Sequence, residues 1–433
     1  MKKIKPFNSA FYSFFRHNVN GGIILMIVAV LAMILANSAW SSYYFEFLNH
    51  PISLKFGDFN LFNHHGTPLT MELFINDCLM AIFFFHVGLE IKREILVGEL
   101  STVRKASLPI LAAVGGMIMP VIVYLLIAQT SPESKGMAIP MATDIAFSLG
   151  ILSMLGKRVH LSLKIFLTAF AVVDDIGGIL VIALFYTEEI QWSYLFVALG
   201  LVAVLMIASR LKIYRRFIYY MLGIAVWYLF LQSGVHSTIA GVLVAFTIPA
   251  KPRFRIGKYI NRIRNSINTF PKHTAESIVL TNEQIHELKN IESASAKVIS
   301  PLQFMEDKFH GLVNYFILPL FAFANAGVCL AGNGDLIGVV TFGVALGLII
   351  GKPIGIFSFT WLFTKLNIVS LPDDIDWKSI FGVSCLGGIG FTVSLFIANL
   401  SFGSSHVELL NQAKLGIIIG TIISGIIGYY FLN

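Results

Sequence analysis

The chain of 433 residues is 56% hydrophobic and only 13% charged. Ordinary soluble domains are about a quarter charged, so a soluble multidomain enzyme is excluded at the outset. The net charge of +7 would suit nucleic acid, but the positive residues are dispersed between apolar runs, and no nucleic-acid partner is expected.

Apolar runs long enough to cross a bilayer fall at 20–38, 72–91, 107–128, 137–156, 162–186, 193–209, 216–232, 234–250, 309–330, 337–363, 378–400 and 410–431. They predict an all-α polytopic protein of twelve spans with the lipid bilayer as its solvent. The boundary at Ser233–Gly234 is the weakest, because it divides two short runs. Lys2, Lys3 and Lys5 followed by the apolar run 22–35 and Ala36-Asn37-Ser38 have the outline of a secretory leader. With eleven spans behind it, a retained first helix is expected instead.

Lysine and arginine set the orientation. They crowd alternate loops: Lys2, Lys3, Lys5 and Arg16; Lys92, Arg93, Arg104 and Lys105; Lys157, Arg158 and Lys164; Arg210, Lys212, Arg215 and Arg216; Lys251, Arg253, Arg255 and Lys258; Lys365 and Lys378. The opposite loops carry little beyond Lys55, Lys135 and Lys414. The alternation works only with twelve spans, and it places both termini in the cytoplasm. The polar stretch 251–300 then reads as a long cytoplasmic loop between the eighth and ninth helices, with a short surface helix near Thr281–Ile291. It is too small and polar to be a catalytic domain. Cys78, Cys329 and Cys385 are scattered in apolar runs and read as core residues rather than a disulfide or metal framework. Gly351-Lys352-Pro353 lacks the flanking residues of a phosphate loop, so ATP bound to this chain is not the driving force.

An ionisable residue inside a span costs on the order of 3 kcal/mol, which makes each one a functional candidate. Here these are Asp77, His86, Glu90, Asp144, Asp174, Asp175, His236 and Lys352. Asp77 and His236 also read as satisfied polar core groups, and Glu90, at the end of its span, as a solvated residue. Asp174 and Asp175 are adjacent in mid-run. Helix neighbours point about 100° apart, so the two cannot share one structural role. Adjacent carboxylates at low dielectric cannot both stay ionised cheaply. Such a group holds either a proton or a small cation, and that competition is the core of cation/proton exchange. Lys352 needs an acidic partner at its depth, and Asp174 is the expected one. Spans are interrupted at Pro140-Met141-Ala142-Thr143-Asp144 and at Gly387-Gly388-Ile389-Gly390-Phe391-Thr392. Paired interruptions point to a midplane ion site. Asp144 would there neutralise two positive helix ends and Lys352 the negative ones.

Ala142-Thr143-Asp144-Ile145-Ala146-Phe147, Val173-Asp174-Asp175, Gly351-Lys352-Pro353-Ile354-Gly355 and Leu318-Pro319-Leu320-Phe321-Ala322-Phe323-Ala324-Asn325-Ala326-Gly327 together resemble the NhaA family of bacterial sodium/proton antiporters. Val87-Gly88-Leu89-Glu90-Ile91-Lys92-Arg93-Glu94 and Ser233-Gly234-Val235-His236 also resemble it, and the likeness runs from about residue 12 to the end. This family is itself a type case of the midplane-site rule. The resemblance implies two inverted repeats with two crossed, interrupted helices. It implies electrogenic, pH-regulated export of sodium, with lithium as a further cargo, against external protons across the inner membrane. It needs no cofactor, and a homodimer is plausible. Asp175 is implied as the main cation and proton carboxylate, Asp174 as a site partner of Lys352, and Thr143 and Asp144 as members of the crossing. Glu90, Arg93, Glu94 and Glu306 resemble a cytoplasmic pH-responsive cluster, and His236 a modulator of pH dependence. His86, Gln303-Phe304 and Gly311 after His310 depart from the pattern and bear on the pH set-point.

Rival readings are a sodium-coupled symporter, an intramembrane aspartyl protease and a non-transporting sensor. The protease needs its two Asp on different helices, and a sensor leaves Lys352 without a purpose.

Overall fold

The computed structural model describes residues 21–433 apart from 54, 57–58, 61–62, 65–66, 188–189, 252–255, 271–278, 330–335, 373 and 404. Residues 1–20, with Lys2, Lys3, Lys5 and Arg16, and also Arg253 and Arg255 lie outside the described residues, while the apolar part of the leader-like start is described. The helices are α1 (Gly21–Ala36), α2 (Ser41–Asn49), α3 (Met71–Val97), α4 (Val103–Ile127), α5 (Ile145–Met154), α6 (Leu161–Phe185), α7 (Trp192–Arg210), α8 (Arg216–Ser233) and α9 (Ser237–Thr247). There follow α10 (Ile256–Asn268), α11 (Asn282–Val298), α12 (Pro301–Leu312), α13 (Leu318–Asn325), α14 (Val339–Lys365), α15 (Trp377–Gly387), α16 (Phe391–Phe402) and α17 (Val407–Leu432). The only strands among the described residues are two tiny hairpins, Lys55–Phe56 with Phe59–Asn60 and Asn63–His64 with Thr67–Pro68.

Each predicted apolar run is occupied by helix, but not each by an unbroken one. Among the described residues, six helices are long and apolar enough to cross a membrane, or up to nine if each bent pair is one span. Two bent pairs matter for the site. The 3₁₀ segment Glu133–Met141 meets α5 at 42°, and α15 meets α16 at 41°. Pro140 lacks a backbone donor, and Gly388 and Gly390 weaken a helix, so both interruptions fall where the local sequence favours helix least. At the Ser233–Gly234 boundary, α8 ends on Gly234 in the left-handed conformation, with φ of 79°. Glycine tolerates that at no steric cost.

Two apolar clusters hold the helices together. The larger gathers α1, α3, α4, α6 and α13 to α17 around Phe170, Phe321 and Phe396. The smaller joins α7, α8 and α9 to Leu89 of α3 and to Leu302 and Met305 of α12. Helix α3 thus belongs to both, and its charged end lies at their junction. Helices α4 and α14 cross closely, since a Cβ on either Gly115 or Gly355 would run into the other's carbonyl oxygen. Small residues let membrane helices approach in this way.

Three expectations are corrected in detail. Lys414 is not a loop residue: it is 6% exposed within α17. The stretch 251–300 holds two helices, α10 and α11, where one short helix was anticipated. Of the cysteines, Cys385 is buried but Cys78 and Cys329 are only half-buried, and all three are free.

Candidate ion-exchange site

The two interruptions are laced together. Thr143 Oγ1 donates to the Gly387 carbonyl at 2.8 Å, and Ser148 Oγ to the Leu386 carbonyl at 2.9 Å. The Asp144 amide donates to the Ile389 carbonyl at 2.6 Å, and Ser394 Oγ to the Ile139 carbonyl at 2.7 Å. The breaks free backbone groups that a bilayer cannot satisfy, and each break supplies partners for the other. Gly390 permits the approach, because a Cβ there would press the Ala142 carbonyl at 3.1 Å.

Asp144 lies at the start of two half-helices. Its Oδ1 accepts from the Phe147 amide at 3.0 Å as the N-cap of α5. Its Oδ2 accepts from the Thr392 amide at 3.0 Å and from Thr392 Oγ1 at 2.6 Å, at the first turn of α16. One carboxylate therefore meets the partial positive charge of two helix N-termini. Lys352 does the converse. It follows a π turn at Gly347–Gly351 in α14, its side chain is fully buried, and Nζ lies 2.7 Å from Asp174 Oδ2. Nζ also donates to the carbonyl of Met141, the last residue of the 3₁₀ segment. The expected Lys352–Asp174 partnership is present, and it closes a helix C-terminal end as well.

Asp174 and Asp175 sit in mid-α6 and diverge. The Asp174 side chain is shut away with Lys352. Asp175 is 8% exposed and lines a cavity of about 430 Å³. Thr143, Asp144 and Thr392 share that lining, as do Glu90, Arg93, Glu306 and His310. Hard oxygen donors from Asp175, Thr143 and Asp144 are the chemistry that a small hard cation requires. No cluster of three or more His, Cys, Asp or Glu arranged for a metal ion occurs among the described residues.

The pH-response candidates are only partly brought together. Arg93 joins Glu306 at 2.7 Å through Nε and Glu94 at 2.9 Å through Nη1. Glu94 is 7% exposed and also accepts from the Glu99 amide at 3.0 Å. Glu90, Arg93 and Glu306 line the Asp175 cavity, but His236 does not. It stands at the N-cap position of α9, while Lys92 of α3 binds the far end of that helix through the Phe246 and Ile248 carbonyls, each at 2.6 Å. Asp77 lies in a π turn, and its carbonyl accepts from Trp227 and Ser237, each at 3.2 Å.

Sequence reasoning did not single out Thr392, Ser148, Ser394 or the Met141 carbonyl. Thr392 had a local signal, a hydroxyl residue at the end of Gly387-Gly388-Ile389-Gly390-Phe391-Thr392, in the first turn of a half-helix. The others are defined only by what lies opposite them.

The Na+/H+ antiporter 1 family model matches residues 12–432. A protein of Bacteroides fragilis named Na(+)/H(+) antiporter NhaA is 56% identical over 434 aligned positions, covering 100% of this chain and 98% of the relative. One of the same name from Bacteroides thetaiotaomicron is 58% identical, covering 96% and 95%. Another from Porphyromonas gingivalis is 46% identical, covering 96% and 93%. With two interrupted helices laced around buried carboxylates, and full-length likeness at this level, the chain belongs to the Na+/H+ antiporter 1 family, multi-pass secondary transporters and not enzymes.

Proposed function

We propose that the protein exports sodium, and lithium as a smaller hard cation, from the bacterial cytoplasm in electrogenic, pH-regulated exchange for external protons. The observation that carries this is the division within one dipeptide: Asp174 is closed off by Lys352, while Asp175 opens on the cavity. A carboxylate with access to one side can load sodium only by giving up its proton. The two cargoes therefore exclude each other, and coupling follows without a second energy source. The lacing of the two interruptions lets Asp175, Thr143 and Asp144 move as one body when access alternates.

In this reading the chain, 1–433, is one transporter domain of twelve spans in two inverted repeats. It lies in the inner membrane with both termini and the segment 251–300 on the cytoplasmic side. The lysine and arginine distribution supports that orientation. Asp175 holds the transient sodium, with Asp174 behind it tied to Lys352 and with Thr143 and Asp144 beside it. Glu90, Arg93, Glu94 and Glu306 form the pH-responsive mouth, and His236 tunes it from a distance. A high cytoplasmic proton concentration fills the carboxylates and stops loading. No cofactor is required, and two copies pair as a homodimer.

The test is dye-reported sodium/proton exchange in vesicles. Asp175→Asn protein keeps its thermal unfolding temperature in detergent but loses exchange by at least about a hundredfold, the scale of a lost essential proton carrier. Near-normal exchange by that variant overturns the assignment.

A further inference from the structure

His86 is a second chemical feature of the cavity, and ion exchange makes no use of it. It projects from α3, is 6% exposed, and lines the same cavity as Asp175. Its Nε2 is buried without a protein partner, and a buried imidazole nitrogen left open in this way is one that a metal ion can take. His310 of α12 faces it, with ring centroids 5.8 Å apart and planes tilted by 42°. His310 lines the cavity too, with Asn314 Nδ2 at 3.3 Å from its Nδ1 and 3.2 Å from its Nε2, an amide that a metal ion would have to displace from one of them. Packing of Phe85 on Phe309, with centroids at 5.4 Å, fixes the register of the two helices one residue away from each histidine.

We infer that His86 and His310 form a transition-metal site in the wall of the Asp175 cavity, taking Zn2+ through two imidazoles with water completing its coordination. Two Zn–N bonds of about 2.1 Å at the tetrahedral angle hold nitrogens about 3.4 Å apart, a span that two rings with centroids 5.8 Å apart reach when one nitrogen of each faces the other. Imidazole suits zinc, copper and nickel rather than a hard alkali cation, so sodium does not compete for the pair. Glu90, one turn along α3 on the same face, adds negative charge nearby. No third histidine, cysteine or acidic side chain completes a set among the described residues. Binding is therefore reversible and weak beside that of a structural zinc site. A divalent ion held there stands in the cavity that leads to Asp175. It would oppose sodium loading by charge and by bulk, and that consequence, unlike the site, rests on the proposed exchange.

The experiment separates the two. Zinc alone is titrated into detergent-purified full-length protein by calorimetry, and the same zinc is then added to the open side of exchange-active vesicles. The expected result is one zinc per chain in the micromolar range, weakened at least about tenfold in His86→Leu and in His310→Asn and regained in His86→Cys. Exchange by the unaltered protein should fall with zinc along the same curve. If zinc does not bind, or binds equally well to His86→Leu, a water molecule satisfies Nε2 and the site is overturned. Zinc binding with His86 dependence in a protein that exchanges no sodium upholds the site and sinks the transport reading instead.

Discussion

Lys352 Nζ and Asp174 Oδ2 lie 2.7 Å apart with neither side chain exposed to solvent, and the next carboxylate along the same helix, Asp175, opens on the cavity. Removing one partner of a buried ion pair leaves an uncompensated charge and costs about 3 to 5 kcal/mol, whereas replacing both with apolar residues is often neutral. Lys352→Ala is therefore expected to lower the thermal unfolding temperature sharply. Lys352→Met combined with Asp174→Leu should recover most of the loss. A double variant no more stable than the single one would mean that the Met141 carbonyl, rather than Asp174, is the main reason for Lys352.

Thr392 gives Asp144 two hydrogen bonds, one from its amide and one from its hydroxyl. Thr392→Val keeps the shape and the amide but removes the 2.6 Å hydroxyl contact. Bonds to a charged group contribute about 1.5 to 3 kcal/mol, so stability should fall by that order. Thr392→Ser should restore it. Sodium dependence of exchange measured beside unfolding tells whether the loss also loosens the ion site.

The Gly115–Gly355 crossing sets the height at which Lys352 reaches the crossing. Gly355→Ala would place a methyl against the Gly115 carbonyl, and the two helices would have to part. Overpacking of this kind costs about 1 to 3 kcal/mol. Exchange should fall more than stability, because Lys352 lies less than one turn away on α14. Gly178→Ala is the matched control, since nothing lies within 4 Å of a Cβ there.

Arg93 ties α3 to α12 through Glu306, and Glu94 shares the same guanidinium. If this link governs access, Arg93→Gln and Glu306→Gln should each displace the pH profile of exchange. The double variant should displace it no further, because both remove one coupling. Additive shifts would show two independent groups.

The alternation of apolar runs with positive stretches, the mid-helix place of Asp174 and Asp175, and the proline and glycines of the two interruptions were all legible in the sequence, because each expresses a local rule. Bilayer solvation demands long apolar helices, mid-run charge is costly, and Pro140 and Gly388 weaken a helix. Family likeness added the expectation that Asp175, rather than Asp174, carries the ion. Letters alone could not assign Lys414, which satisfies a loop-charge rule as well as it satisfies a place inside α17. Nor could they separate His236 from Arg93 and Glu306, since helix ends distant in sequence may be near or far in space. The tertiary structure decided that Asp144 would meet two helix starts, that Lys352 would also close on the Met141 carbonyl, and that Asp175 alone of the pair would open on the cavity. These are long-range matches between backbone groups stranded by two separate breaks. Only the packing of α4 against α14 and of one interruption against the other brings them within hydrogen-bonding distance.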